Sequence, residues 1–329
     1  MLLRALLKRK TLQPSSARSV SYVGPPESTF LHKDLRVERT RNPKARPGDD
    51  HSYIFGQLTT DHMLEIDWDE QRGWHAPVIR EYHPFQMDPG AGVLHYATQC
   101  FEGMKAYPDA NGDHINLFRP DLNMERFRSS CRYLALPDFD PDEFLKCIKE
   151  LLKVDRDWMP DRPLHSLYIR PTGISLDDTL RIERPNKSKI FVILSPVGPY
   201  FPEGFKPINL YSTANAIRAW PKGHGDKKLG GNYGPTLHPV QSIQELEKEV
   251  NADGALVPKY SQILWLIDDF VTEVGVMNFF LFWENQDGER ELITAPLSGA
   301  ILPGVTRNSI LQICKGLREF RVTERKFTI

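Results

Sequence analysis

The sequence predicts a mixed α/β fold, with α+β character, in two domains divided near the middle of the chain. Short apolar runs of strand length alternate with segments of helical spacing through both halves. Turn signals rich in Asn, Asp and Gly fall between them, and an aromatic, proline-bearing stretch, GPYFPEGF at 198–205, interrupts the alternation near the middle. A chain of 329 residues that is 40% hydrophobic can fill two cores. Its formal net charge of -1 gives no global attraction to nucleic acid or to an anionic membrane, so the expected partner is a small molecule. No apolar stretch approaches the roughly 20 residues of a bilayer-spanning helix.

The amino terminus differs from the rest. Residues 1–26 carry Arg4, Lys8, Arg9, Lys10 and Arg18 with no acid before Glu27, and Leu2, Leu3, Leu6 and Leu7 recur at helical spacing. A basic amphipathic segment of this kind is expected to be a mitochondrial transit sequence; the alternative is a solvated terminus on a cytoplasmic protein. We therefore expect a transit segment at 1–30, a small α/β domain with an amino-terminal extension at 31–200, a connector and first strand at 201–213, and a large domain at 214–329. Folding is expected to begin after RNPKARPGDD at 41–50, where prolines and mixed charge collect.

Within the small domain, Val93–Thr98 and Ile115–Phe118 read as strands flanking the turn at 109–113, whose Asn-Gly pair suits a hairpin. Leu122–Leu134 reads as a helix. A second helix, capped by Asp140, runs through Phe144, Ile148, Leu151 and Leu152. Strands follow at Ser166–Arg170 and Lys189–Ser195, with Pro196 expected to end the second because it has no amide to donate. In the large domain we expect a strand at Ile208–Ser212, a glycine-rich segment at 223–234 and a helix at Leu237–Val250. Further strands are expected at Ile263–Ile267, Phe279–Trp283 and Glu291–Thr294, then a helix at Thr306–Leu317 and a terminal strand pattern at 320–329. The four cysteines, Cys100, Cys131, Cys147 and Cys314, show no CxxC pair and no zinc-like spacing, so reduced thiols and no metal are expected.

Chemistry concentrates at Lys227-Lys228-Leu229-Gly230-Gly231-Asn232-Tyr233-Gly234-Pro235. A lysine amine is inert while protonated, near its ordinary pKa of about 10.4, and becomes nucleophilic when burial or nearby cations lower that value. Glycines without a Cβ let backbone approach a flat ring closely. A glycine-rich surface turn and a phosphate-cradling loop are the alternatives. The latter has the wrong order, since the lysine precedes its glycines and no G-x-x-x-x-G-K-[ST] occurs.

From Phe55 onward the chain carries FGQLTTDHML, HYATQCFEGMKAY, LFRPDLNMERF, SLYIRP, SPVGPYF, IRAW, KLGGNYGP, TEVGVMNFF and LPGVTR in order. With these segments it resembles the eukaryotic branched-chain amino acid aminotransferases, of the fold-type IV pyridoxal-phosphate enzymes. The resemblance implies transamination of leucine, isoleucine and valine with 2-oxoglutarate through a Schiff base on Lys228, giving branched 2-oxo acids and glutamate, in a homodimer. Tyr233 is implied as the partner of the cofactor's 3'-oxygen and Glu273 as that of the pyridine nitrogen. Arg126, whose planar fork suits phosphate, is implied as a phosphate ligand together with the backbone amides of Val305 and Thr306. Tyr96, Phe101, Tyr168, Arg170 and Tyr200 are implied around the substrate.

Two departures bear on these expectations. Valine stands at 276 where the family commonly has threonine, removing a hydroxyl near the site. The family also continues beyond the position of Ile329 with a further phosphate-binding loop, so the large, cofactor-binding domain is expected to be incomplete. A catalytically impaired, truncated paralogue therefore stays open as an alternative. So does another enzyme of the same fold type, such as a D-amino-acid transaminase or an aminodeoxychorismate lyase.

Overall fold

The computed structural model describes residues 29–48, 51–201, 204, 206–213, 215–246 and 259–329. The expected transit segment lies outside them apart from its last two residues, as do parts of the connector and residues 247–250 of the expected helix. The strands are β1 Arg36–Val37, β2 His62–Asp69, β3 Gly73–Trp74, β4 Val78–Glu81, β5 Gln99–Phe101, β6 Met104–Pro108, β7 Ile115–Leu117, β8 Ser166–Ser175 and β9 Lys187–Val197. After these come β10 Leu210–Thr213, β11 Gln262–Ile267, β12 Phe270–Val274, β13 Met277–Asn278, β14 Phe280–Glu284, β15 Arg290–Thr294 and β16 Arg321–Glu324. The helices are α1 Gly92–Tyr96, α2 Pro120–Tyr133, α3 Pro141–Val154, α4 Leu237–Leu246 and α5 Val305–Leu317.

The first nine strands form one sheet in the order β1-β4-β2-β9-β8-β6-β7, with β3 on β2 and β5 on β8. The later strands form a four-stranded sheet, β10-β11-β12-β13, and a three-stranded one, β14-β15-β16. Helices α2 and α3 pack together over the first sheet, and their apolar stripes bury Met124, Phe127 and Cys131 from one and Phe144, Cys147, Ile148 and Leu151 from the other. Asp140 caps α3 as expected, its carboxylate accepting from the amides of Asp142 and Glu143. Cys100 and Cys131 meet in this core as free thiols, Sγ to Sγ 3.4 Å.

Several expectations need correction. Val93–Thr98 is not a strand: α1 occupies Gly92–Tyr96, Ala97 turns the chain in the left-handed region (φ 51°), and the strand begins at Gln99. A six-residue apolar run is too short for its spacing to separate helix from strand. The hairpin across 109–113 is real, but β7 pairs with β6. Pro196 does not end β9; it pairs with Leu167. The pairing of β9 with β2 stops at Ile193, so the missing amide interrupts no ladder on that side.

Order also begins before residue 41. Phe30 is buried against Trp74, Phe139 and Phe144, the Thr40 amide donates to His62 Nε2, and the Lys44 amide donates to Asp61. One buried ring, a two-residue strand and hydrogen bonds hold this arm without any apolar periodicity, which explains why its composition suggested otherwise. Strand β2 gave no alternating signal because both faces are covered, and its Glu65 is buried beside Lys189 at 2.7 Å.

Phe144 is fully buried among Phe30, Phe127 and Phe139. Phe144→Ala is expected to destabilise the protein by about 3–5 kcal/mol through lost burial and an unfilled cavity, read as a lower midpoint in urea unfolding followed by tryptophan fluorescence.

Candidate active site

Lys228 is held by its backbone before its side chain does anything. Its amide donates to Ser130 Oγ (3.0 Å) on α2, its carbonyl accepts from the Phe101 amide (3.0 Å), and Leu229 bridges Cys100 on β5. The glycine-rich segment is thereby stitched to the first sheet. Gly230 sits against the Gln99 side chain, where a Cβ would fall 2.5 Å from Nε2, so a larger residue here would have to displace that side chain.

From this anchor the amine reaches Tyr233 Oη at 2.9 Å and stands 4.7 Å from the Phe101 ring centroid. The residue keeps some solvent contact. Burial nonetheless dominates its ionisation and lowers the amine to about 8; Glu102 opposes this, and Arg126 and Arg170 reinforce it. Burial likewise pushes the Tyr233 phenol up to about 12, so at neutral pH it keeps its proton.

Glu273, on β12, is buried. Its Oε1 accepts from the Leu302 amide (2.8 Å) and Asn278 Nδ2 (3.0 Å), and its Oε2 lies 3.0 Å from Arg218 Nη2. Burial raises its pKa, and Arg218, the Leu302 hydrogen bond and Lys228 counter the rise. Lys228 and Glu273 lie near enough for the charge of each to bear on the ionisation of the other.

Arg126, on α2, does not present a free fork. Its Nε and Nη2 grip the fully buried Glu102 at 2.5 and 2.7 Å, and Glu102 also accepts from the Gly103 amide and Asn123. Burial by itself would lower the guanidinium's pKa, but the hydrogen bonds and charge of Glu102 raise it. The remaining Nη1 donates to Pro303 O (3.2 Å), which places Arg126 beside the amino end of α5. That helix opens at Val305 and Thr306 behind Gly304, and no side chain caps it. Its first amides are available to an anion.

Phe101, Tyr168 and Arg170 cluster next to the amine. Arg170 donates to Tyr168 Oη (2.9 Å) and its guanidinium carbon lies 4.7 Å from the Phe101 ring; Phe101 and Tyr233 are 4.8 Å apart. Tyr96 and Tyr200 make their contacts elsewhere: Tyr96 donates to Leu180 O at 2.6 Å, and Tyr200 packs on Phe201 while 59% exposed. Val276 is exposed, so its missing hydroxyl leaves no polar group buried there. Sequence reasoning missed Glu102, Arg218 and Phe55, whose ring packs on Tyr168 at 4.8 Å. All three lie in segments already singled out, EGMKAY, IRAW and FGQL, but only contact geometry identifies a buried partner.

A buried amine of lowered pKa, a protonated phenol beside it, an acid across the site, and a cation next to open helix amides together form a donor set that fits pyridoxal 5'-phosphate.

Residues 99–329 match the family described as amino-transferase class IV. The chain is 48% identical over 297 residues to a branched-chain-amino-acid aminotransferase of Dictyostelium discoideum, covering 90% of this chain and 75% of that protein. It is 44% identical over 305 residues to a mitochondrial branched-chain-amino-acid aminotransferase of Rattus norvegicus, covering 92% and 74%. Relatives carry both cytosolic and mitochondrial names. Among solved structures, the branched-chain amino acid aminotransferase of Thermoproteus uzoniensis with norvaline aligns with a TM-score of 0.58 at 21% identity, covering 80% of this chain and 78% of that one. Another branched-chain amino acid aminotransferase, solved with pyridoxamine 5'-phosphate, aligns with a TM-score of 0.59 at 24% identity, covering 82% and 79%. Both share the fold.

With an amine of about 8, Lys228 of the cofactor-free protein is expected to react with a small aldehyde half-maximally near that pH, well below an ordinary lysine. Below it the amine is protonated and inert; above it, nucleophilic. Borohydride trapping and peptide mass spectrometry across pH check this, and a midpoint in the range of free lysine would contradict it.

Proposed function

The chain belongs to the class IV aminotransferases and, within them, to the branched-chain-amino-acid aminotransferases, and from that premise we propose how its own residues carry out the reaction. The amino group of leucine, isoleucine or valine passes to 2-oxoglutarate with pyridoxal 5'-phosphate as cofactor, giving a branched 2-oxo acid and L-glutamate. The single observation that carries this reading is the Lys228 amine held 2.9 Å from the Tyr233 hydroxyl and 4.7 Å from the Phe101 ring centroid, on a segment fixed to the first sheet.

When bound, the cofactor supplies an aldehyde carbon for an amine and a ring that accepts electrons from the substrate Cα. Lys228 Nζ is the nucleophile and, when free, takes up and returns a proton at its own nitrogen. Tyr233 Oη, protonated at neutral pH, would hold the cofactor's 3'-oxygen, and Glu273 would hold the proton of the pyridine nitrogen. Arg126 and the amides of Val305 and Thr306 would bind the phosphate.

Phe101 and Tyr168, joined by Phe55, form apolar walls next to the amine, where each buried methylene contributes about 0.8 kcal/mol and favours branched chains over alanine. Arg170 supplies a cation at the edge of that wall.

We place the domain division at the 201–213 connector, with a small domain at 31–200 and a cofactor-binding domain at 214–329. The site takes residues from both sides of it. The basic, acid-free leader supports a mitochondrial location over a cytoplasmic one. A homodimer accords with apolar side chains such as Leu94, Leu180 and Ile182 that stand open on the small domain.

Lys228→Ala is expected to lose the visible absorbance that wild-type protein gains on adding pyridoxal phosphate, and to slow leucine-to-2-oxoglutarate transfer by about 100- to 10,000-fold. Wild-type initial rates should give the parallel lines of ping-pong kinetics. An unchanged absorbance in Lys228→Ala would overturn the assignment. Sedimentation equilibrium is expected to give twice the chain mass; a monomer at assay concentration would remove the dimer.

A further inference from the structure

Resting on that reading, we propose that Arg218 is a positioning residue that keeps Glu273 ionised and fixed as the acceptor for the cofactor's ring nitrogen. Glu273 Oε1 already accepts two hydrogen bonds, from the Leu302 amide and Asn278. A carboxylate oxygen offers about two acceptor positions, so Oε2 is the oxygen left for another donor. Arg218 Nη2 lies 3.0 Å from Oε2 as an ion-pair contact, its two hydrogens being directed to backbone carbonyls. Both side chains are almost wholly buried, at 6% and 3% exposure, so this is a desolvated charge pair rather than a surface contact.

The same guanidinium nitrogen is held in place by backbone. It donates to Ala300 O at 2.9 Å and to Gly225 O at 3.3 Å. Gly225 belongs to the segment leading into Lys228, and Ala300 to the loop leading into α5. These three stretches meet so closely that a Cβ at Gly225 would collide with Ala219 and with Ala300 O. One side chain thus links the carriers of the amine, the acid and the anion-binding helix end.

The ionisable groups acting on Glu273 are Arg218, Lys228 and Arg126, with the Tyr233 phenol also in range. Burial favours the neutral acid, and Arg218 is the strongest of the influences opposing it. Without Arg218, Glu273 would take up a proton itself and could not accept one from the ring nitrogen. Raising the pH would remove that proton and restore the acceptor.

The test is the affinity of cofactor-free protein for pyridoxal phosphate, followed by tryptophan quenching from about pH 6 to about pH 9, for wild type, Arg218→Met, Arg218→Lys, Glu273→Gln and the Arg218→Met/Glu273→Gln double variant. Arg218→Met is expected to bind at least about tenfold more weakly at the acid end, with the deficit narrowing as pH rises. Arg218→Lys, which retains the charge, should show a smaller deficit with little pH dependence. In the Glu273→Gln background, removing Arg218 should cost little more. A deficit of equal size at every pH, present with or without the Glu273 carboxylate, would make Arg218 a purely structural residue and overturn the proposal. Should Arg218→Met fail to fold, Arg218→Lys combined with Glu273→Gln supplies the same comparison, and additive losses there would overturn it. Wild-type protein that takes up no pyridoxal phosphate would sink the cofactor reading instead.

Discussion

An ammonium ion loses solvation when a protein closes around it, and the rest of this site is arranged around that cost at Lys228. Burial lowers the amine to about 8 even though Glu102 and Glu273 pull the other way. Were those carboxylates free to act on the lysine alone, the amine would stay charged and unreactive. Each is instead committed to its own guanidinium, Glu102 to Arg126 at 2.5 Å and Glu273 to Arg218 at 3.0 Å. Pairing acid with arginine spares the lysine a full counter-ion and leaves it a cation whose charge is easily given up.

The two buried pairs also divide the chemistry by position. Arg126 stands beside the uncapped end of α5, so its charge faces a place where an anion gains from helix amides. Arg218 lies against Glu273, deep in the later part of the chain. Phosphate and pyridine nitrogen lie at different positions on the cofactor, and in the proposed reading Arg126 with the α5 amides would take the one and Glu273 the other, on different elements. Tyr233 and Phe101 stand by the amine itself, where aldehyde and substrate would meet.

Much of this was legible in the sequence because it depends on residues whose local context is distinctive. The KLGGNYGP segment places amine and phenol five residues apart, and the 2.9 Å contact follows from the tight turns between them. The Asp140 cap and the helices after Arg119 were likewise readable, since capping and apolar spacing are local. What could not be read was partnership across distance. Glu102 and Arg126 are separated by 24 residues, and Arg218 and Glu273 by more than twice that, so no spacing rule connects them. The arm at 29–48 was misjudged for a related reason: its anchors are the one buried ring of Phe30, the two-residue strand β1 on β4, and hydrogen bonds to His62, Asp61 and Glu143, which leave no periodic trace. Strand β2 was hidden because it is covered on both faces.

The amine and the acid reach the site from different parts of the fold. Lys228 is anchored through Ser130, Phe101 and Cys100 to the first sheet and its covering helix, although in sequence it belongs with the later strands. Glu273 belongs to the second sheet and takes its bearings from the loop before α5. A site built inside one sheet would tolerate sliding between the two parts of the chain; this one would lose the amine from the acid. The contacts across that seam include hydrogen bonds from the Phe101 amide to Lys228 O, from the Lys228 amide to Ser130 Oγ, from Arg126 to Pro303 O and from Arg119 to Asn308 and Ser309, which are short-ranged and fixed in direction. They fix Lys228 and the loop before α5 against the first sheet and its helices, and the proton transfer proposed for the lysine would depend on that placement.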